Sequence, residues 1–307
     1  MQLVTFGEAM LRLTPRDKAF DVYVGGAELN VAVAAAKLGV AARWVSRLPE
    51  NPAGRMIADR ARDEGVDVSC ISWTSEGRAG IYYVEVGAEP GRTRVTYDRA
   101  GSAMALVAPR MIDWASALAG ARWLHVSGIT PALSDTAAAT MHEALGAAQH
   151  AGLTISYDLN YRPALWTPER AREVQQTLLC HADLLICSED GARLVFGGSD
   201  DPGELARSLQ DRYEIRTVAI TIRDSKRTRN ASWSALVLDE GNVHRAPAFE
   251  CEVVEPVGAG DAFSAGLIYG RIEGESWNVA ARYGVALAAI KHGTPGDFSQ
   301  ATSIADR

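Results

Sequence analysis

The sequence is poor in the residues that tie a chain to itself or to a metal. Its 307 residues include 4 cysteines and 6 histidines. Cys70, Cys180, Cys187 and Cys251 show no CxxC spacing and no histidines placed as a metal box, so the expectation is reduced thiols in a cytoplasmic protein. A basic excess is also missing: the net charge of -7 gives nucleic acid and anionic membrane surfaces nothing to hold, and neither is expected as a partner. The longest apolar candidate, NVAVAAAKLGVAA, is interrupted by Lys37 and cannot span a bilayer. At the N-terminus, MQLVTFGEAM has no basic n-region and Gly7-Glu8 breaks its apolar run, which argues against a signal peptide. No GxxxxGK[ST] occurs and no GxGxxG follows the first strand candidate, so P-loop enzymes and dinucleotide-binding oxidoreductases are disfavoured. Internal repeats and low-complexity segments are absent as well.

What remains is a well-mixed globular composition, 47% hydrophobic and 22% charged, long enough for one large core with a small appendage. Short β-rich runs alternate with helix-period segments: LVTF (3–6) before ELNVAVAAAKLG, RWVSRL (43–48) before GRMIADRARDEG, and WLHVSG (123–128) before DTAAATMHEALGAAQHAG. The rhythm continues through LTISYDLN (153–160), DLLICSED (183–190) and TVAITI (217–222). Such alternation predicts a parallel sheet with helices on both faces. One stretch breaks it. Residues 80–98, GIYYVEVGAEPGRTRVTYD, predict two strands around a Gly/Pro turn, paired with an early strand within 10–24 and acting as a β-lid over the sheet's carboxyl edge. The parse is one domain, 1–307, with lid strands from about 10–24 and 80–99.

Two glycine-bearing segments carry candidate chemistry. In EPVGAGDAFSAG (255–266), Gly258 and Gly260 allow backbone N–H groups to turn toward an anion at a helix start, and Asp261 opens a run of helical spacing. Asp261 is either a helix cap or a carboxylate that handles a proton beside a bound phosphate; this segment alone leaves both open. In VGGAELNVAVAAAKLG (24–39), Gly25 and Gly26 permit close backbone approach, and Asn30, one turn on, either bonds a ligand hydroxyl or faces solvent.

Together, GGAELN and VGAGDAFSAG resemble the paired signatures of the PfkB/ribokinase family of sugar kinases. FGEAMLRLTP (6–15), YDRAGSA (97–103), DLNYRPALW (158–166) and KHGTPGDF (291–298) are similar to its 2-keto-3-deoxygluconate kinase branch, in the family's order from Phe6 to Phe298. The resemblance implies an α/β, ribokinase-like three-layer sandwich with a mostly parallel sheet and a small β-sheet lid. It also implies ATP-dependent phosphorylation of the 6-hydroxyl of 2-keto-3-deoxygluconate or a close sugar acid. Asp261 becomes the general base, and the N–H groups of Gly258, Ala259 and Gly260 the anion hole. Gly25, Gly26, Asn30, Tyr82, Tyr97, Arg99, Arg162 and Asp297 become substrate contacts, with Arg99 and Arg162 on the acid's carboxylate, a planar fork suited to it. Read from residue type alone, Arg99 is a solvated hairpin arginine, Arg162 a cap on the sheet edge and Asp297 an Asx-turn after Gly296, and only one of Tyr82 and Tyr83 can face a ligand. Rival readings are a kinase for a neutral ketose such as fructose or tagatose, and a non-catalytic sugar- or nucleotide-binding regulator.

The segment departs from the family pattern in three places. Where many members carry Asn-x-x-Glu, this chain has Ser188 and Gly191, so Mg²⁺ is expected to be organised by Glu189 or Asp190 through water. After TVAITI, Arg223, Lys226, Arg227 and Arg229 form a basic loop, either a solvated hairpin tip or a hold on ATP's phosphates alongside Ser188, Gly258 and Gly260. Glu255-Pro256 alters the approach to the glycine turn, where some relatives hold a monovalent cation. Related kinases often pair through their lids, and the expectation here is a homodimer or larger assembly.

Overall fold

The structure, a computed structural model, describes residues 1–85, 93–224 and 230–304. In chain order it forms strands β1 (Leu3–Phe6), β2 (Met10–Arg16) and β3 (Ala19–Gly25), helix α1 (Ala27–Lys37), β4 (Ala42–Pro49), α2 (Pro52–Asp63), β5 (Ile71–Thr74), β6 (Gly80–Glu85) and β7 (Arg94–Asp98). There follow α3 (Trp114–Ala117), β8 (Trp123–Ser127), α4 (Asp135–His150), β9 (Thr154–Asp158), α5 (Pro168–Leu179), β10 (Leu184–Ser188), α6 (Glu189–Phe196) and α7 (Pro202–Tyr213). The chain ends with β11 (Thr217–Asp224), β12 (Asn230–Asp239), β13 (Asn242–Glu252), α8 (Ala259–Ile272) and α9 (Trp277–His292).

Strand order in the large sheet is β13-β12-β11-β10-β9-β8-β1-β4-β5. Pairing is parallel from β5 to β11, and β12 and β13 add antiparallel at one edge. Successive side chains on a strand point to opposite faces. Leu3 and Trp44 therefore enter one core with Leu29, Ile57, Phe263 and Val285, while Val4 and Val45 enter the other with Met141, Leu178, Val195 and Leu209. These are the two helix layers of a three-layer α/β sandwich. Sequence-local devices set the helix starts: the side chains of Asn51, Ser134, Thr167, Asp201 and Ser276 cap α2, α4, α5, α7 and α9, and proline stands in the first turn of α2, α5 and α7.

A second sheet, in the order β3-β2-β6-β7, stands over the carboxyl edge of the large one. β2 pairs antiparallel with β3 and parallel with β6, and β6 antiparallel with β7. The Gly/Pro turn expected between β6 and β7 falls within 86–92, outside the described residues, as do Lys226, Arg227 and Arg229 of the basic loop.

Candidate active site

Between the small sheet and the carboxyl ends of β9, β10 and β11 lies a cleft of about 890 Å³. This is where an open parallel sheet places a ligand, because helix N-termini and strand ends converge there. Its walls include Gly26, Asn30, Tyr82, Tyr97, Arg99, Asp158, Arg162, Ser188, Arg223, the Gly258–Asp261 turn and Asp297. The expected site residues thus face one space, apart from Gly25, which sits just behind it.

The turn from Gly258 to Asp261 begins α8. Gly258 is the N-cap, at φ 83, a left-handed conformation that costs glycine little. No side chain caps this helix. Its first-turn N–H groups have no acceptor within the helix, so they are available to an anion in the cleft. A capping role for Asp261 is therefore corrected by the structure. Its carboxylate turns instead to Asn30, whose Nδ2 donates to Oδ2 at 2.6 Å. Asn30 is held in turn by the Gly26 N–H, which donates to its Oδ1 at 3.3 Å. A side chain at Gly26 would strike the carbonyl of Glu8, so glycine there is a requirement of close packing.

Burial lifts the Asp261 carboxyl to about 6, against the opposing pull of the Asn30 hydrogen bond and the positive charges of Arg162 and Lys291. Asp158, at the end of β9, is pushed to about 7 by burial and by the charge of Asp261, with Arg162 again opposing. Arg162 is half-buried on the loop after β9, where its Nη1 donates to the Tyr161 carbonyl at 3.3 Å, and its positive charge favours the ionised form of both carboxyls. At neutral pH Asp261 is mostly ionised, able to accept a proton and to give it up again.

The lid side is more committed than residue type suggested. Arg99, 7% exposed, directs its Nε and Nη2 to Oε2 of Glu8, the former at 2.7 Å, and lies over the Tyr97 ring. It is an ion-paired arginine on the cleft wall, not a solvated one. Strand alternation sends Tyr82 inward and leaves Tyr83 on the other face, against Phe20. The Tyr82 hydroxyl donates to Asp297, and Arg12 pairs with both Asp297, at 3.0 Å, and Glu255. Asp297 therefore does not close an Asx-turn. Burial raises its carboxyl above the usual range, although Arg12 and Tyr82 oppose the shift.

Residue reasoning missed Glu8, Arg12, Asp158 and Lys291, and it took Glu255 only as part of an altered approach to the glycine turn. A signal existed for Arg12: in MLRLT it shares the inward-facing parity of Met10, and an arginine at such a position needs acids nearby. Both carboxylate oxygens of Glu255 are occupied, one by Arg12 and the other by the Gly296 N–H at 2.9 Å.

On the opposite side, Ser188 caps α6 by accepting from the Gly191 N–H at 3.1 Å, and exposed Arg223 stands at the cleft mouth. Glu189 and Asp190 line the cleft, each 2.9 Å from Arg193. Among the described residues no group of three His, Cys, Asp or Glu side chains is arranged to hold a metal. A divalent ion such as Mg²⁺ keeps much of its water and takes phosphate oxygens with one or two carboxylates. Glu189 and Asp190 fit that modest role.

A three-layer α/β fold, a β-lid, and a glycine turn presenting N–H groups beside a buried carboxylate together define a ribokinase-like phosphotransferase. The pfkB family carbohydrate kinase profile matches residues 2–302, and the chain belongs to that family: it is a carbohydrate kinase, transferring phosphate to an alcohol. It is 37% identical over 308 residues to the 2-dehydro-3-deoxygalactonokinase of Haloferax volcanii, covering 98% of this chain and 94% of that one. With the 2-dehydro-3-deoxygluconokinase of Thermoproteus tenax it shares 31% over 307 residues, 97% and 90% of the two chains. The crystal structure of 2-dehydro-3-deoxygluconokinase from Thermotoga maritima superposes with a TM-score of 0.93 at 39% identity, over 97% of this chain and 94% of that one. The resemblance carried by GGAELN and VGAGDAFSAG thus holds across the chain. Among the described residues, no helix is long and apolar enough to cross a membrane.

Proposed function

We propose that the chain transfers the γ-phosphoryl group of ATP to the 6-hydroxyl of 2-keto-3-deoxygluconate or its galactonate epimer. The observation that carries this reading is one cleft with Arg162 and the ion-paired Arg99 on its wall, and a buried base, Asp261, beside an open helix start. The sugar's carboxylate lies against Arg162, with Arg99, Tyr97 and Tyr82 closing over it and Asp297, Gly25 and Gly26 shaping the floor. Its far hydroxyl meets Asp261. The names of the relatives from Haloferax, Thermoproteus and Thermotoga are consistent with such an acid.

In the reaction Asp261 accepts the hydroxyl proton as the new O–P bond forms and the bond from the γ-phosphorus to ADP breaks, leaving ADP with the electron pair. The N–H groups of Gly258, Ala259 and Gly260 face the transferring oxygens, and Asn30 keeps the carboxylate oriented. Ser188 and Arg223 line the nucleotide end. Mg²⁺ arriving with ATP would be held through water by Glu189 or Asp190 and would supply neutralisation of phosphate charge. The exposed apolar residues Phe20, Val22 and Tyr23 on β3 favour pairing of two chains through the small sheet, which sedimentation equilibrium would refute by returning a monomer mass. Four unpaired cysteines agree with a cytoplasmic site.

Losing a charged hydrogen-bonded partner costs about 1.5–3 kcal/mol, so Arg162→Gln should raise the sugar-acid KM about 10- to 100-fold. Steady-state kinetics on the acid and on neutral fructose and tagatose test this. An unchanged acid KM, or preference for the neutral ketose, would overturn the carboxylate assignment; absence of ADP formation over sugar acids, sugars and nucleosides would favour a binding protein.

A further inference from the structure

Among the described residues Lys291, in the last turn of α9, is the only buried lysine, at 0% exposure. An ammonium is seldom taken out of water without a reason in its surroundings. Its Nζ donates to the Thr294 carbonyl at 3.0 Å. Arg12 is the group that pairs directly with Glu255 and Asp297. One arginine balances only one of those two carboxylates, and Asp261 adds a third charge nearby. Burial draws the lysine toward neutrality, while Glu255, Asp297 and Asp261 hold it in the charged form and Arg12 opposes them.

Its position is as telling as its charge. A Cβ added at Gly258 would lie 3.3 Å from Lys291 Cε and would collide with the carbonyl of Asp297. The lysine stem and that carbonyl are therefore the floor on which the left-handed glycine rests. We propose that Lys291 is the built-in cation of the anion hole: its stem supports the Gly258–Asp261 turn from beneath, and its ammonium offsets the buried carboxylates around the turn opposite an incoming phosphate. Lys291 touches neither substrate. It is a positioning residue, and its role rests on the reading of Asp261 as the proton acceptor. Without the lysine, only Arg12 stands against Glu255, Asp297 and Asp261, and the negative excess around the turn grows, in the place where a phosphoryl oxygen must gather charge.

The test compares wild type with Lys291→Met, which keeps the stem and removes the charge, and Lys291→Ala, which leaves room for a small cation. With ATP, Mg²⁺ and the sugar acid, Lys291→Met should lose on the order of 10- to 100-fold in kcat with little change in either KM, the cost expected for weakening an anion hole. Its acid limb should move to higher pH, because a cation near Asp261 has been lost. Methylammonium should restore kcat to Lys291→Ala and not to Lys291→Met. Normal kcat and an unmoved limb in Lys291→Met would overturn the proposal, and so would a lower kcat with neither limb shift nor rescue. Nitrogen NMR of wild type supplies an arm independent of folding in the variants and of turnover: the Lys291 Nζ must be charged at pH 8, and a neutral amine there refutes the inference. If wild type fails to phosphorylate the acid, the functional reading falls, while the NMR result still decides the state of Lys291.

Discussion

Asn30→Ala tests how the cleft prepares its base. The 2.6 Å bond from Asn30 Nδ2 to Asp261 Oδ2 exists in full only while the carboxylate is ionised, so it favours the form that accepts a proton. A hydrogen bond to a charged group contributes about 1.5–3 kcal/mol, and at about 1.36 kcal/mol per pKa unit its loss corresponds to roughly 1–2 units. With the carboxyl near 6 in the intact protein, activity should fall as pH drops through that value, since the protonated form cannot take the hydroxyl proton. In Asn30→Ala the same fall should occur at about pH 7–8, with water entering the gap favouring the lower end. At pH 6.5 this alone is a loss of roughly 3- to 25-fold relative to the loss measured at pH 9. The assay is kcat/KM against pH, which reports the ionisations of the free enzyme. A profile that drops uniformly, with its acid limb within about 0.3 units of wild type, would refute the claim that Asn30 tunes Asp261.

Other outcomes follow from the same geometry. Asp261→Asn should lower kcat by on the order of 10²–10⁴ with little change in Tm, because α8 is capped by Gly258 and not by this side chain; a fall in Tm with near-normal kcat would reverse the assignment. Glu28, fully buried, is lifted by that burial to about 7, against a hydrogen bond from the Ser127 hydroxyl at 2.6 Å. A carboxyl raised in the folded state gives stability that is complete below its unfolded value of about 4.3 and is lost as pH rises through the folded value. Glu28→Gln should therefore flatten the decline of stability between pH 5 and 8, by up to about 3 kcal/mol in denaturant titrations; an unaltered slope would show that Glu28 is not its source.

The large sheet was legible because each buried strand is a short β-rich run set off by helical spacing, and a parallel sheet covered on both faces demands that pattern. The lid was legible for the opposite reason: Tyr82 and Tyr83 alternate across a strand with one face on the cleft and the other on Phe20. Glycines at 25, 26 and 258 announced close approach in the sequence itself, whereas a Cβ at Gly260 would meet nothing within 4 Å. The buried charges did not. Arg12 and Asp297 meet across 285 positions and Glu8 and Arg99 across 91, distances over which residue type says nothing about partners. Lys291 was hidden differently, since a lysine in the last turn of a helix ordinarily complements the helix dipole from solvent. Asp158 closes β9 and opens DLNYRPALW, yet residue type gave no sign of its shifted carboxyl, which arises from burial and from Asp261.

If Asp261 activates the terminal hydroxyl of a 2-keto-3-deoxy sugar acid, the phosphate must appear on the primary carbon and depend on that carboxylate. Proton-coupled phosphorus NMR of the product formed from ATP and 2-keto-3-deoxygluconate tests it most directly. A phosphomonoester triplet, split by the two protons on C6, should grow with wild type and be suppressed with Asp261→Asn. A doublet from a secondary alcohol, or equal growth with Asp261→Asn, would contradict it.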